Sequence, residues 1–183
     1  MLTQIGVFLV DVVASFFVFV LLARFHFQWL RVPFRNPVGE FVLATTSFMV
    51  LPVRRMIPGL AGLDLASVLL AWLIQSVSVW LQSQIIGNEP ALFNVLMVAL
   101  VDLLRYSIYI LVFAVIVQAV LSWINPYTPM APAFDTITRP FLRPLRRFIP
   151  PLGGVDLTPL ILLVILQVLL FPVGAMRIAA ASL

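Results

Sequence analysis

The sequence predicts an all-α membrane protein with four transmembrane helices, built from two parallel two-helix repeats. Each repeat carries an amphipathic interfacial segment on its cytoplasmic side. Three observations lead there. First, the 183 residues are 63% hydrophobic and only 10% charged, with mean hydropathy +1.15, whereas a soluble domain is about 25% charged. Second, four apolar runs approach or exceed the ~20 residues that cross a bilayer. Third, the chain repeats itself. "PVRRMIPGLAGLDL" (Pro52 to Leu65) returns ninety-two residues later as "PLRRFIPPLGGVDL" (Pro144 to Leu157), with nine of fourteen positions identical. Unrelated stretches would share about one.

The predicted spans are residues 5–23, 65–81, 97–124 and 157–175. The second is short enough to thin the bilayer or stand upright, and the third is long enough to tilt or to begin in the interface. Nothing before Arg24 is basic apart from the terminal amine, so residues 5–23 read as a retained span rather than a cleaved signal peptide.

Orientation follows from arginine, since all eleven positive charges are arginine. Residues 24–63 hold Arg24, Arg31, Arg35, Arg54 and Arg55, and residues 125–156 hold Arg139, Arg143, Arg146 and Arg147. The loop between spans two and three has Glu89 and no basic residue. The positive-inside bias places both Arg-rich segments in the cytoplasm and both termini outside, in a bacterial inner membrane. Arg177 is the dissenting charge. The repeats divide the chain into 1–91 and 92–183. Trp29 and Trp123 stand at matching interfacial points after spans one and three. Each repeat holds two spans, so both halves point the same way, unlike an inverted repeat.

The interfacial segments are placed at 36–58 and 132–150. In the first, Asn36 caps a helix whose first residue is Pro37. Val38, Phe41, Val42, Thr45 and Met49 then share one face. In the second, Phe134, Ile137, Phe141, Leu145 and Phe148 make an apolar stripe opposite the arginines, as in a helix lying at the headgroups. Pro140 and Pro144 predict a kink or two short turns.

Two readings of the Arg pairs stay open. Arg54, Arg55, Arg139, Arg143, Arg146 and Arg147 could serve topology and attract anionic lipid, at about 1 kcal/mol each. Alternatively, they could form a defined phosphate or partner-carboxylate site through planar guanidinium forks. The first is favoured because positive-inside arginines are general. Gly62 and Gly154 allow sharp turns. Asp64 and Asp156 then fall where spans two and four begin and are favoured as helix caps. The alternative joins each aspartate to its upstream Arg pair as a composite site. Pro159 falls in the first turn of span four.

Asp11, Asp102 and Arg105 fall within apolar segments, where charges are functional candidates by default. Asp11 and Arg105 each lie about 27 Å along the helix from the matched tryptophan, and Asp102 slightly farther, which puts all three near the outer interface. Snorkelling or simple pairing is favoured, Asp102 and Arg105 being at i, i+3. Gln28, Gln75, Gln118 and Gln167 could bond between helices. A single histidine, His26, and no cysteine exclude thiol chemistry and make a metal site or a nucleophile–base pair an unpromising reading. No enzyme activity, cofactor or nucleic-acid partner is expected.

The doubled P-x-R-R-x-I-P…G-x-D-L pattern, with Leu121-Ser122-Trp123 and "TRPFLRPLRR" at Thr138–Arg147, resembles the YggT family. Its relatives include YlmG proteins and chloroplast proteins that assist cytochrome b6 haem assembly. The second copy matches better, because Phe48 stands where Pro140 stands in the second. The resemblance implies a small integral membrane protein linked to membrane-protein or cofactor assembly, envelope processes, or ion and osmotic adaptation. It carries over no catalytic residues. The implied partners are anionic lipids and other membrane proteins, a second copy of this chain among them. Two functions follow as expectations: an assembly or organising factor, or a transport-related protein supporting ion homeostasis under osmotic stress. A transporter should gather Asp11, Asp102, Arg105 and the glutamines around one cavity. A scaffold should have a dry bundle and an exposed basic surface.

Overall fold

A computed structural model describes residues 1–57, 59, 62–125, 127–149 and 156–182. Among these there are six helices and no β-strand. They are α1 (Leu2–Trp29), α2 (Pro37–Met56), α3 (Leu65–Ile86), α4 (Leu92–Ile124), α5 (Ala131–Phe148) and α6 (Thr158–Ala181). The order of a long apolar helix, a shorter amphipathic one and a second long apolar one occurs twice.

Four helices, α1, α3, α4 and α6, are long and apolar enough to cross a membrane. α3, at 22 residues, extends about 33 Å, so it is a full-length span rather than the short one expected. α4, at 33 residues, runs about 50 Å and overshoots the hydrocarbon core. Only 11% to 33% of the most apolar window of each span is buried, so most of each helix surface faces outward. Phe8, Phe16, Phe113, Leu160 and Phe171 are exposed. In water these would form an untenable apolar surface; in lipid they are ordinary.

α1 packs on α3 and α4 on α6, each pair antiparallel, as Asp11–Gln82 and Asp102–Arg177 contacts require. α1 and α4 lie side by side, with Phe19 and Phe113 edge to face at 6.2 Å. Between helices in lipid, the cohesion is van der Waals fit rather than water expulsion. It rests here on Val18, Leu21, Ala71 and Val50, all wholly enclosed.

Gly87, at φ +82°, ends α3; the Asn88 N–H reaches back to the Ser83 carbonyl, closing the helix in the way a left-handed glycine permits. Gly62 turns at φ +83° just before α3, as expected. Gly154 lies outside the described residues.

α2 begins as expected. The Asn36 side chain accepts from the Gly39 N–H at 3.0 Å, and Pro37 is the first helical residue. Its packed face differs from the expected stripe. Gly39, Val42, Thr46 and Val50 are buried, while Phe41 and Phe48 point outward. α5 differs twice. It buries Ala133, Phe134, Ile137, Thr138 and Leu142 and leaves Phe148 exposed. It also runs as one helix through Pro140 and Pro144. Pro132, Thr136, Pro140 and Pro144 stack at i, i+4 along the outward side, so the carbonyls that lose a donor line one accessible stripe.

Candidate functional site

The polar groups of the bundle gather in three places. Two lie at the end of the bundle that carries α2 and α5, one in each half. The third lies toward the opposite end.

The first is built around Arg24, near the end of α1. Sequence reasoning counted Arg24 among loop cations, but its side chain is only 3% exposed. α2 folds over it. Its Nε donates to Asp64 at 3.2 Å, and its Nη1 donates to the Thr46 and Ser47 hydroxyls at 2.9 and 3.2 Å. Asp64, fully enclosed, also accepts from Gln28 at 3.2 Å and from the Ser67 hydroxyl at 2.9 Å. Arg54 bonds the Gln28 carbonyl at 3.3 Å and brings its Nε to 4.0 Å from Asp64. Asp64 is the residue before α3, but its carboxylate makes no cap bond to the helix backbone. The capping role favoured for it gives way, because a buried guanidinium demands a buried counter-charge.

Its counterpart is looser. Arg146 donates to Asp156 at 2.9 Å, with side chains 43% and 37% exposed. Here Asp156 does serve the helix start, accepting the Thr158 N–H at 3.0 Å and the Thr158 hydroxyl at 2.6 Å. Partial burial alone would raise the Asp156 carboxyl. The Thr158 bonds and the Arg146 guanidinium overcome that and hold it below the usual carboxylate range.

The third site is a cavity of about 290 Å³ lined by Asp11, Ser15, Gln75, Gln82, Asp102 and Arg105, with Tyr106, Tyr109 and Arg177 completing the wall. Asp102 is buried and takes Arg177 Nε at 2.7 Å and the Gln75 amide at 2.9 Å, which ties α4 to both α6 and α3. The expected i, i+3 pairing of Asp102 with Arg105 does not form. Arg105 instead donates to the Tyr109 hydroxyl at 2.9 Å and lies over its ring. Asp11 accepts from the Gln82 amide at 3.4 Å. Of the other glutamines, Gln28 belongs to the Arg24 site, Gln118 lies beside Arg146 and Asp156, and Gln167 is exposed.

On α3, Ser67, Ala71, Gln75 and Ser78 form a buried small and polar stripe that reaches from the Arg24 site toward this cavity. Ala71 lies midway, enclosed with Val18 and Leu21, so a dry layer separates two polar sites about 12 Å apart along the helix. That stripe at helical spacing is the signal from which the buried network could have been read.

The remaining arginines stay outside. Arg55, Arg143 and Arg147 are exposed, and Arg139 pairs with Asp135 one turn back on α5. His26 donates Nδ1–H to its own helix at the Leu22 carbonyl, 2.7 Å.

Four lipid-facing helices in two like-ordered halves, with charges neutralised between helices, define a multi-pass membrane protein with a doubled helical unit. The chain belongs to the CCB3/YggT family, which it matches over residues 3–85 and 97–176. It is 33% identical over 163 residues to an uncharacterized protein of Pseudomonas aeruginosa, covering 87% of this chain and 83% of that one. To the uncharacterized protein YggT of Escherichia coli K12 it is 30% identical over 163 residues, covering 88% and 85%. To an uncharacterized protein of Vibrio alginolyticus it is 31% identical over 170 residues, covering 91% and 92%. No solved structure matches it.

Proposed function

We propose that this protein is a non-enzymatic organising or assembly factor of the bacterial inner membrane. The α2 and α5 end faces the cytoplasm, and both termini lie outside. The observation that carries the reading is how its charges are spent. Asp64 and Asp102, both buried, are each matched by an arginine from another helix. Arg177, the charge that dissented from the orientation, is thereby engaged and no longer votes as a loop cation. What is left unspent includes Arg55, Arg143 and Arg147, exposed at the C-terminal ends of α2 and α5. That is an adhesive surface for anionic lipid and for acidic segments of membrane partners, beside a bundle with a dry middle. The test is quantitative affinity capture of the intact protein from its native membrane in mild detergent, beside a variant with these three arginines changed to alanine. Equal partner recovery by both, at equal abundance and orientation, would defeat the reading.

A transport-related role in ion homeostasis is the second reading, and it rests on the 290 Å³ cavity that joins Asp11, Asp102, Arg105 and two glutamines. Against it, two arginines balance the two carboxylates there, and the layer of Val18, Leu21 and Ala71 leaves the cavity without a continuation. Potassium flux into proteoliposomes, abolished by Asp102→Asn, would bring this reading forward.

A further inference from the structure

The two halves build related polar sites, and the second has no buried guanidinium among the described residues. Phe19 faces Phe113, and Leu21 and Val115 are both wholly buried, so α1 and α4 correspond at a spacing of ninety-four residues. Gln118 then stands where α1 has Arg24, and Ser122 where it has Gln28. Three of the surrounding groups are kept, while Ser47 and Ser67 give way to Arg139 and Pro159. Thr138 matches Thr46, both fully enclosed with hydroxyls bonded to their own helices. Arg146 matches Arg54, and Asp156 matches Asp64. What the second half lacks is the buried guanidinium. Where it would lie, a groove of about 300 Å³ runs between α4 and α6. Gln118, Ser122, Arg146 and Asp156 supply its polar lining, and Ile116, Val120, Leu160 and Leu163 are among its apolar lining. The Gln118 Oε1 is buried without a hydrogen-bond partner among the described residues. Ile116, Val120 and Leu160 are exposed, so the groove is continuous with the lipid-facing surface.

We propose that this groove seats a phospholipid whose headgroup carries both a primary ammonium and a phosphate. The ammonium takes the place that Arg24 holds in the first half. It donates to Asp156 and to the Gln118 amide, whose terminal torsion is soft enough to turn its carbonyl inward. The phosphate meets the Arg146 N–H groups not engaged by Asp156. An acyl chain follows the four apolar residues.

Charge chooses the headgroup. Arg146 and Asp156 sum to zero, which matches a zwitterion, whereas a purely anionic headgroup would leave Asp156 facing phosphate. A quaternary ammonium cannot donate hydrogen bonds and is suited to an aromatic cage; among the described residues Trp123 alone brings an aromatic ring to this groove. The inference goes beyond the organising role and needs no protein partner to be tested.

The experiment is native mass spectrometry of the intact protein released from nanodiscs holding phosphatidylethanolamine, phosphatidylcholine and phosphatidylglycerol with matched chains. The ethanolamine lipid should be retained about tenfold over the choline lipid, the ratio that one hydrogen bond to a charged group supplies. Asp156→Asn keeps the bonds from Thr158 and should reduce that preference to near unity. Gln118→Arg supplies the missing guanidinium from within and should abolish retention while the protein melts as before. Equal retention of the ethanolamine and choline lipids, stronger retention of the glycerol lipid, or unchanged retention in a stably folded Gln118→Arg protein would overturn the proposal.

Discussion

Asp64→Ala and Asp156→Ala remove the same motif residue from the two halves, and they should differ sharply in cost. Asp64 is enclosed and takes three side-chain hydrogen bonds, from Arg24, Gln28 and Ser67. Without it, Arg24 keeps two hydroxyl partners but no counter-charge within hydrogen-bonding reach. An uncompensated buried charge costs about 3–5 kcal/mol. Arg24 is five residues from the end of α1, so some of that is relieved if the guanidinium rotates outward. Asp156 pairs with Arg146 in a half-exposed setting where an ion pair contributes about 0–1 kcal/mol. Its hydrogen bond to the start of α6 adds about 1 kcal/mol. The expected costs are therefore about 3–5 against about 1–2 kcal/mol. The assay is unfolding of purified protein in mixed micelles by rising dodecyl sulfate, followed by loss of helical circular dichroism. A third protein, Arg24→Met with Asp64→Leu, removes both charges and should recover most of the loss, because a buried pair replaced by apolar side chains is near neutral. Equal costs for the two alanine variants, or a double variant as unstable as Asp64→Ala alone, would refute the reasoning.

Gly39→Ala should cost several kcal/mol in the same assay, because a Cβ there would lie 2.5 Å from the Phe34 carbonyl oxygen and 2.6 Å from its Cα, backbone that cannot step aside. A reporter active only in the cytoplasm, fused after Leu183, should be silent; activity would reverse the proposed orientation. Replacing Arg146 and Arg147 by lysine should preserve insertion and abundance but impair complementation of a deletion strain, since lysine cannot reproduce a fork on a carboxylate or phosphate; full complementation would reduce the motif to topology. The Asp156 carboxyl is held below its usual range, so its contribution is complete above about pH 4. It should be lost as pH falls through the lowered value. The melting difference between the native protein and Asp156→Asn should therefore shrink below about pH 4, and a constant difference would count against the bond network.

The four spans were legible in the sequence because crossing a bilayer is a one-dimensional demand: enough consecutive apolar residues to cover a thickness. The cap at Asn36 and the turn at Gly62 were legible for a similar reason, since each is settled within a few residues of backbone. The pairing of charges was not. A helix that is apolar nearly all round has no periodicity to say which face meets a neighbour. Arg24 sits beside a run of loop arginines and reads as one of them, until α2 covers it and Asp64, forty residues on, faces it. Asp102 has Arg105 one turn away, yet bonds Arg177, because the packing of α4 on α6 points its carboxylate there. Pro140 and Pro144 look like helix breakers, but the carbonyls they leave without a donor, those of Thr136 and Pro140, fall on an accessible stripe, so α5 continues. Composition and local chemistry determined what crosses the membrane and where each helix starts. The rotation of each helix about its axis, which only tertiary packing sets, decided which charges are buried together and which stay outside.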